Sequence, residues 1–101
     1  MLAEEKFLEV SVALNEVQLG KMFGAKCLKT IKGKAVAIFW KDSMLFKLNE
    51  ESLAEALDLP NASQATHLYA VERPMTGWVN IPFTSSIHWH TLAVKAIENS
   101  K

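Results

Sequence analysis

A chain of 101 residues is sized for one domain with a single core of modest area. Half of its residues are apolar and 22% are charged, which is ordinary for a soluble globular domain. Eleven basic residues balance eleven acidic ones, so the formal net charge is zero. Proteins that rely on phosphate contacts normally carry a basic surplus, and independent, specific DNA binding is therefore disfavoured.

The cysteine count and the first residues bear on the compartment. Cys27 is the sole cysteine, so neither an intramolecular disulfide nor a thiolate metal cluster is available, which fits a reducing compartment. The start MLAEEKFLEV is acidic and unlike a secretory signal, and no apolar run approaches the roughly 20 residues that span a bilayer. We expect a cytoplasmic protein that does not enter membranes.

The first half of the chain predicts one helix and a meander of strands. Apolar side chains three and four positions apart predict an amphipathic helix over residues 3–18, and Gly20 is placed to end it. Three apolar runs follow at residues 22–31, 35–40 and 44–48, separated by short turns. Short runs between tight turns are typical of antiparallel strands.

A short helix with a good N-cap follows the meander. Asn49 begins the segment NEESLAEALDLP, acidic residues occupy its first turn, and Pro60 marks its exit. The next residues, 61–65, are small and polar, and they predict a loop.

The last third of the chain predicts two strands and a helix. The strands are expected at residues 67–71 and 78–81, with Pro74 and Gly77 bending the chain between them. Either serine of the pair at 85–86 is placed to cap the final helix. Five residues predict the buried face of that helix: Trp89, Leu92, Ala93, Ala96 and Ile97.

The order helix, three strands, helix, two strands, helix predicts a single α+β domain over residues 1–101. Its two layers are expected to be one antiparallel five-stranded sheet and a set of helices packed on one face of that sheet.

Candidates for catalysis and metal binding are few. Cys27 is a potential nucleophile only if a histidine lies beside it in space; the alternative is a small apolar residue on a buried strand. His88 and His90 stand two apart on the predicted helix, so they point in nearly opposite directions and cannot share a metal ion. Nucleotide-binding and metalloprotease motifs are missing from the sequence, and we expect no catalytic residue, no metal and no cofactor.

Five lysines cluster around the first hairpin. Such a cluster can meet an acidic partner or a nucleic-acid backbone, but more often it is a solvated strand edge where lysine deters aggregation. The zero net charge favours the edge interpretation. The residues are Lys21, Lys26, Lys29, Lys32 and Lys34.

Arg73 is the only arginine of the chain, in the stretch ERPMTGWVNIP. A guanidinium holds a carboxylate or phosphate in a fixed geometry that lysine cannot reproduce. One interpretation is a structural clamp on loop carbonyls or on a carboxylate, and this is the one we favour. The other is an anion-binding site in which Arg73 supplies the charge and Met75 and Trp78 supply an apolar wall.

Several short motifs together resemble the TfoX/Sxy N-terminal domain family, over most of the chain from about Gly20 to the last helix. They are Met22-Phe23-Gly24, the turn Lys32-Gly33-Lys34, the run Met44-Leu45-Phe46-Lys47-Leu48, and Arg73-Pro74-Met75 followed by Trp78-Val79-Asn80-Ile81-Pro82. The sequence departs from the commoner pattern at Ala25, where many members have glycine, and at Gly77, where an aromatic residue is frequent.

The resemblance implies a fold similar to that of type III secretion chaperones, with the same order of helices and strands. The family is named for regulators of natural competence, which carry a second, C-terminal domain that these 101 residues do not contain. It has no established catalytic residues to transfer. The resemblance therefore implies a non-enzymatic regulatory or protein-interaction module, acting through a sheet edge or an open sheet face on another protein or on a second copy of itself. The alternative is a small anion-binding protein or enzyme that uses Arg73, Trp78 and Cys27.

Overall fold

The structure, a computed structural model, describes residues 2–101 and is an α+β domain with one antiparallel sheet. The sheet has six strands in the order β1-β2-β3-β4-β6-β5 and is not closed. No helix within these residues is long and apolar enough to cross a membrane. The elements are α1 (Ala3–Ala13), β1 (Val17–Met22), β2 (Ala25–Thr30), β3 (Ala35–Trp40), β4 (Ser43–Lys47), α2 (Glu50–Leu57), β5 (Ser63–His67), β6 (Ala70–Pro82), a 3-10 helix (Phe83–His88) and α3 (Trp89–Asn99).

The prediction of five strands was wrong because the first hairpin was read as the end of a helix and one strand. Val17 continues the helical spacing of α1, but it also begins a strand alternation, and it packs partly buried against the larger core on the helix-covered face of the sheet. Gly20 lies inside β1 instead of ending α1. A Cβ at Gly20 would lie 3.1 Å from Cδ and Cε of Lys29, whose stem covers this position.

Two of the hairpins turn on two residues that both have positive φ. Phe23 and Gly24 join β1 to β2 with φ of 57° and 79°, and Lys41 and Asp42 join β3 to β4 with φ of 48° and 62°. Positive φ at both central residues is the geometry of two-residue hairpins, whose twist matches that of the flanking strands. Because Phe23 and Lys41 are not glycines, these turns are weakly marked in the sequence.

The region around the hairpin of β5 and β6 also differs from the prediction. Part of the expected loop over residues 61–65 belongs to β5, and the expected strand over 67–71 contains the turn at Leu68 and Tyr69. Leu68 lies in a turn but is only 5% exposed. Because an apolar residue fills this buried turn position, the sequence of the segment resembles that of a strand. The predicted strand over 78–81 is the end of the 13-residue β6.

The helices α2 and α3 begin differently. The Oδ1 atom of Asn49 accepts a hydrogen bond from Ser52 N at 2.8 Å, which confirms the predicted cap of α2. The predicted serine cap of the last helix was wrong. Ser85 lies inside the 3-10 helix and donates its hydroxyl hydrogen bond to Pro60 O at 2.6 Å, and α3 begins only at Trp89.

One face of the sheet and all three helices form the larger core. Phe7 of α1 stacks on Phe39 of β3 with ring centroids 5.1 Å apart, and the buried Trp89 of α3 donates its indole hydrogen bond to Ile81 O at 3.0 Å. The five residues predicted for the buried face of α3 are all buried there. A bulge between β2 and β3 lets the consecutive residues Val36 and Ala37 both contribute to this core.

The other face of the sheet carries a second, smaller core, covered by the hairpin of β5 and β6. Its buried members within residues 2–101 come from strands and from the turn of this hairpin: Ala25, Cys27, Ile38, Leu45, Ala65, Leu68 and Trp78. The tip of the hairpin reaches the turn between β1 and β2, where the hydroxyl of Tyr69 donates to Phe23 O at 2.8 Å. This second face is therefore closed to a partner.

Candidate functional site

The Arg73 side chain is exposed on β6. Within the described part of the chain its guanidinium forms neither an ion pair nor a hydrogen bond. The expected structural clamp on carbonyls or on a carboxylate was wrong for this reason. The donors of Arg73 face solvent.

Gln64 makes the contacts that we expected of Arg73. Its Nε2 atom lies 2.8 Å from Met75 O, 3.2 Å from Trp78 O and 3.0 Å from Ala65 O. These carbonyls flank the point where the register between β5 and β6 shifts, and where Gly77 takes a φ of +88°. The neutral side-chain amide of Gln64, on the neighbouring strand, therefore donates to the backbone carbonyls at the bend in β6.

The three residues of the proposed anion site are not brought together around one cavity. Met75 is half-buried against the smaller core, and Trp78 is 7% exposed and belongs to that core. Trp78 also lines a cavity of about 660 Å³ at one end of the sheet, and neither Arg73 nor Met75 lines this cavity.

Cys27 is fully buried in the smaller core. Burial raises the pKa of its thiol, and the nearby positive charge of Lys29 opposes this shift without cancelling it. A protonated thiol without solvent access is a poor nucleophile. Its surroundings are those of a packing residue.

The histidines are scattered. His67 lies at the end of β5 with its ring centroid 5.1 Å from that of Phe23, whereas His88 closes the 3-10 helix and lines a cavity of about 240 Å³ between α2 and α3. His90 is exposed on α3. Residues 2–101 hold no group of three or more histidine, cysteine, aspartate or glutamate side chains that could bind a metal ion. The grouping of Arg73, Cys27 and a histidine that an enzyme would need is not found in the cavities described.

The lysines of the first hairpins have separate surroundings. Lys26 pairs with Glu4 of α1 at 3.1 Å, and Lys21 stands opposite Lys26 across the hairpin. The stem of Lys29 covers Gly20. The five lysines thus do not converge on one binding site.

Exposed apolar side chains lie on α1 and on β1, the strand at one edge of the sheet. Leu19 of β1 stands opposite Leu28, which belongs to the larger core, so Leu19 projects from the helix-covered face; it is 57% exposed. Leu8 lies one helical turn after Glu4, on the side of α1 that reaches β2, and Val12 follows after a further turn. Val12 is 83% exposed and Leu8 is 36% exposed. We call Leu8, Val12 and Leu19 the edge patch.

Comparison with known proteins adds no relative. No family model matches the chain, and neither a curated protein nor a solved structure matches it.

Sequence reasoning missed Gln64, Leu19 and Lys47, a lysine that lines the same cavity of about 660 Å³ as Trp78. Gln64 and Lys47 are ordinary polar residues on strands, and their partners are fixed only when β6 is bent and paired. Leu19 falls between the predicted helix over residues 3–18 and Gly20, which was expected to end it; the alternation of apolar and polar or small residues in Val17-Gln18-Leu19-Gly20 was the signal for a strand.

Proposed function

We propose that this chain is a non-enzymatic protein-interaction module that pairs with a second copy of itself through β1. The observation that carries the proposal is the edge patch beside an unpaired strand edge. Edge strands expose backbone donors and acceptors to another chain, and soluble monomers rarely leave large apolar side chains contiguous with such an edge. The second sheet face, which we had considered as a docking surface, is closed by the β5–β6 hairpin.

A twofold axis perpendicular to the sheet would pair two copies of β1 antiparallel with their helices on the same side. When the axis passes through Leu19, the two Leu19 side chains face each other and Lys21 stands opposite Val17. The two lysines are thus kept apart, and like charges directly opposite would weaken the pairing. The Leu8 and Val12 side chains of both copies extend the apolar contact on the helix side.

An edge of six residues buries less area than a stable interface, so we expect a weak dimer. The molar mass should rise from 11.3 kDa towards twice that value in a concentration series from about 10 µM to about 1 mM, measured by sedimentation equilibrium. Leu19→Lys should remain monomeric over the whole series, because it puts two ammonium groups together at the axis.

Ile87→Lys is the matched control, since Ile87 is 82% exposed and lies on the 3-10 helix, away from β1. It should associate like the unchanged protein. A monomeric unchanged protein at the highest concentration would contradict the proposal, and so would equal loss of association in both variants.

The biological setting is part of the same proposal. We propose that the module is a regulator of the TfoX N-terminal type and acts in the cytoplasm. The support is the ordered set of motifs from Met22 to Pro82 and a free, buried cysteine that suits a reducing compartment. The association of Leu19→Lys tests the interface between two copies; it does not test whether the module is of the TfoX N-terminal type.

A further inference from the structure

The cavity lined by Trp78 lies where the ends of β3 and β4 meet the C-terminal end of α3. Its volume of about 660 Å³ is within the range of sites that hold small organic molecules. Trp78 and Lys47 stand directly opposite each other across β4 and β6, so both side chains project from the same sheet face. We call this space the Trp78 cavity. Twelve residues line it: Met22, Lys34, Ala35, Val36, Lys47, Leu48, Asn49, Trp78, Ala96, Asn99, Ser100 and Lys101.

The charged side chains that line the Trp78 cavity have one sign. Three lysines line it and none of the lining residues carries a carboxylate side chain. Lys101 is already paired with Glu16 at 3.3 Å. The Nζ atom of Lys34 makes one long contact, 3.5 Å to Ser100 O, and the Nζ atom of Lys47 has neither an ion pair nor a hydrogen bond within residues 2–101. Lys34 and Lys47 therefore keep donors for a bound anion.

The neutral polar lining is also rich in free donors. The Oδ1 atom of Asn99 accepts from Asn49 N at 2.8 Å, and the Oδ1 atom of Asn49 accepts from Ser52 N at 2.8 Å. Both side-chain oxygens are thus engaged, and neither Nδ2 group donates within the described chain. An environment in which oxygens are occupied and N–H groups are free favours an acceptor, and most strongly an anionic one.

The rest of the lining is apolar. Trp78 supplies an indole ring, and its Nε1 donates no hydrogen bond to any described residue, in contrast to Nε1 of Trp89. Met22 and Ala35 pack against the same small core and continue the apolar surface beside it. A ligand body that contacts this surface would remove apolar area from water while its charged group stays with the lysines.

From these features we infer that the Trp78 cavity binds a small amphipathic organic anion. Its acidic group lies between Lys34 and Lys47, and its apolar or aromatic body lies against Trp78. Arg73 takes no part, because it does not line the cavity. The inference does not depend on self-association, since Lys34, Lys47 and Trp78, on which it rests, all lie outside β1.

The test uses 8-anilinonaphthalene-1-sulfonate as the probe, because it joins an aromatic body to one negative charge, and N-phenyl-1-naphthylamine as its neutral counterpart. Fluorescence titration should show saturable binding of the sulfonate at one site per chain. Lys34→Gln and Lys47→Gln should each raise its dissociation constant about three- to tenfold, as expected for a charge-assisted contact near a surface. Both lysines lie at the exposed rim, so these changes leave the core intact.

Lys32→Gln is the matched control, because Lys32 is an exposed lysine of the β2–β3 turn and does not line the cavity. It should bind the probe like the unchanged protein, and so should Leu19→Lys, which alters the edge patch. Equal weakening by Lys32→Gln and Lys47→Gln would overturn the inference, since it would indicate a diffuse charge effect. Equal affinity for the neutral compound, loss of binding in Leu19→Lys, or absence of saturable binding would overturn it too.

Discussion

The side chain that holds the bend of β6 is an amide of the neighbouring strand, not the guanidinium next to the bend. Gln64 Nε2 lies within hydrogen-bond distance of three backbone carbonyls, whereas Arg73 points to solvent. The single arginine is conspicuous in composition, but a cluster of carbonyls needs only a donor. The amide provides one without the cost of desolvating a charge.

We therefore expect a change at Gln64 to reduce stability and a change at Arg73 to leave it almost unaltered. Gln64→Glu keeps the shape but replaces the donor with an acceptor facing carbonyls, and it should lower the free energy of unfolding by about 1–2 kcal/mol. That loss corresponds to roughly 4–8 °C in melting temperature per kcal/mol for a domain of this size. Arg73→Lys should change stability by no more than about 0.5 kcal/mol. Thermal melts of the two variants compare them directly. A larger loss of stability in Arg73→Lys than in Gln64→Glu would support the interpretation of Arg73 as a structural clamp.

Cys27 gives a pH dependence whose sign follows from burial. Because burial raises the pKa of the Cys27 thiol, the unfolded chain loses this proton at a lower pH than the folded protein does. The contribution of the neutral thiol to stability is thus complete below the unfolded pKa of about 8.5 and falls as pH rises towards the raised value.

The stability advantage of the unchanged protein over Cys27→Ala should accordingly be constant from about pH 6 to pH 8 and shrink above about pH 8.5. Urea denaturation across this range measures it, and the comparison with the variant removes contributions that do not depend on Cys27. An advantage that grows with pH would mean that the folded protein favours the thiolate.

At the scale of elements, the β5–β6 hairpin serves as the cover of the smaller core. Leu68 at its turn is 5% exposed, and Tyr69 joins it to the turn of the first hairpin through the bond to Phe23 O. Tyr69 also packs edge-on against Trp40 with ring centroids 5.4 Å apart. These contacts hold the tip in place, and the buried side chain of Leu68 packs in the smaller core beneath it.

Leu68→Ala should loosen this cover and expose Cys27 beneath it. We expect the labelling of Cys27 by a thiol reagent to be slow in the unchanged protein and at least about tenfold faster in Leu68→Ala, because local opening becomes less costly when a buried side chain is truncated. Val71→Ala, which trims a residue that is 74% exposed on the same hairpin, should label at the unchanged rate. Fast labelling of the unchanged protein would show that the smaller core is not sealed.

The same elements show what the sequence could and could not predict. The Asn49 cap and the buried face of α3 were predicted because each depends on residues within a few positions of one another. The split of the first hairpin was missed because Val17 satisfies both helical and strand spacing. The cover formed by the β5–β6 hairpin was missed because it depends on a contact between Tyr69 and Phe23, which are 46 positions apart.

The candidate site shows the same difference between what nearby residues predict and what only the pairing of distant strands determines. Trp78 was proposed as part of an anion site, and it lines a cavity whose other residues include members of β3, β4 and α3. Lys47 faces Trp78 only because β4 pairs with β6, a connection that skips β5 in the sheet order. A sequence pattern does not contain that pairing, so the sequence alone could not place Lys47 opposite Trp78.

For the whole molecule, the balance of charge argues against specific binding to duplex DNA. Eleven basic and eleven acidic residues cancel, and Lys6, Lys26 and Lys101 are each within 3.4 Å of a glutamate oxygen. Release of counterions from DNA requires several unpaired cations on one face, and it supplies most of the sequence-independent affinity.

We expect no sequence-dependent shift of duplex DNA with a dissociation constant below about 1 µM at about 0.15 M salt, in a gel assay with a scrambled duplex as competitor. Whatever weak retardation occurs should be equal for both duplexes and should vanish as salt rises, with a shallow slope because few phosphates are neutralised. Glu4→Gln gives an internal comparison, since it frees Lys26 next to Lys21 and should increase only the non-specific component. Sub-micromolar binding that distinguishes the two duplexes would contradict the prediction, because it would require specific base contacts by a chain without a basic surplus.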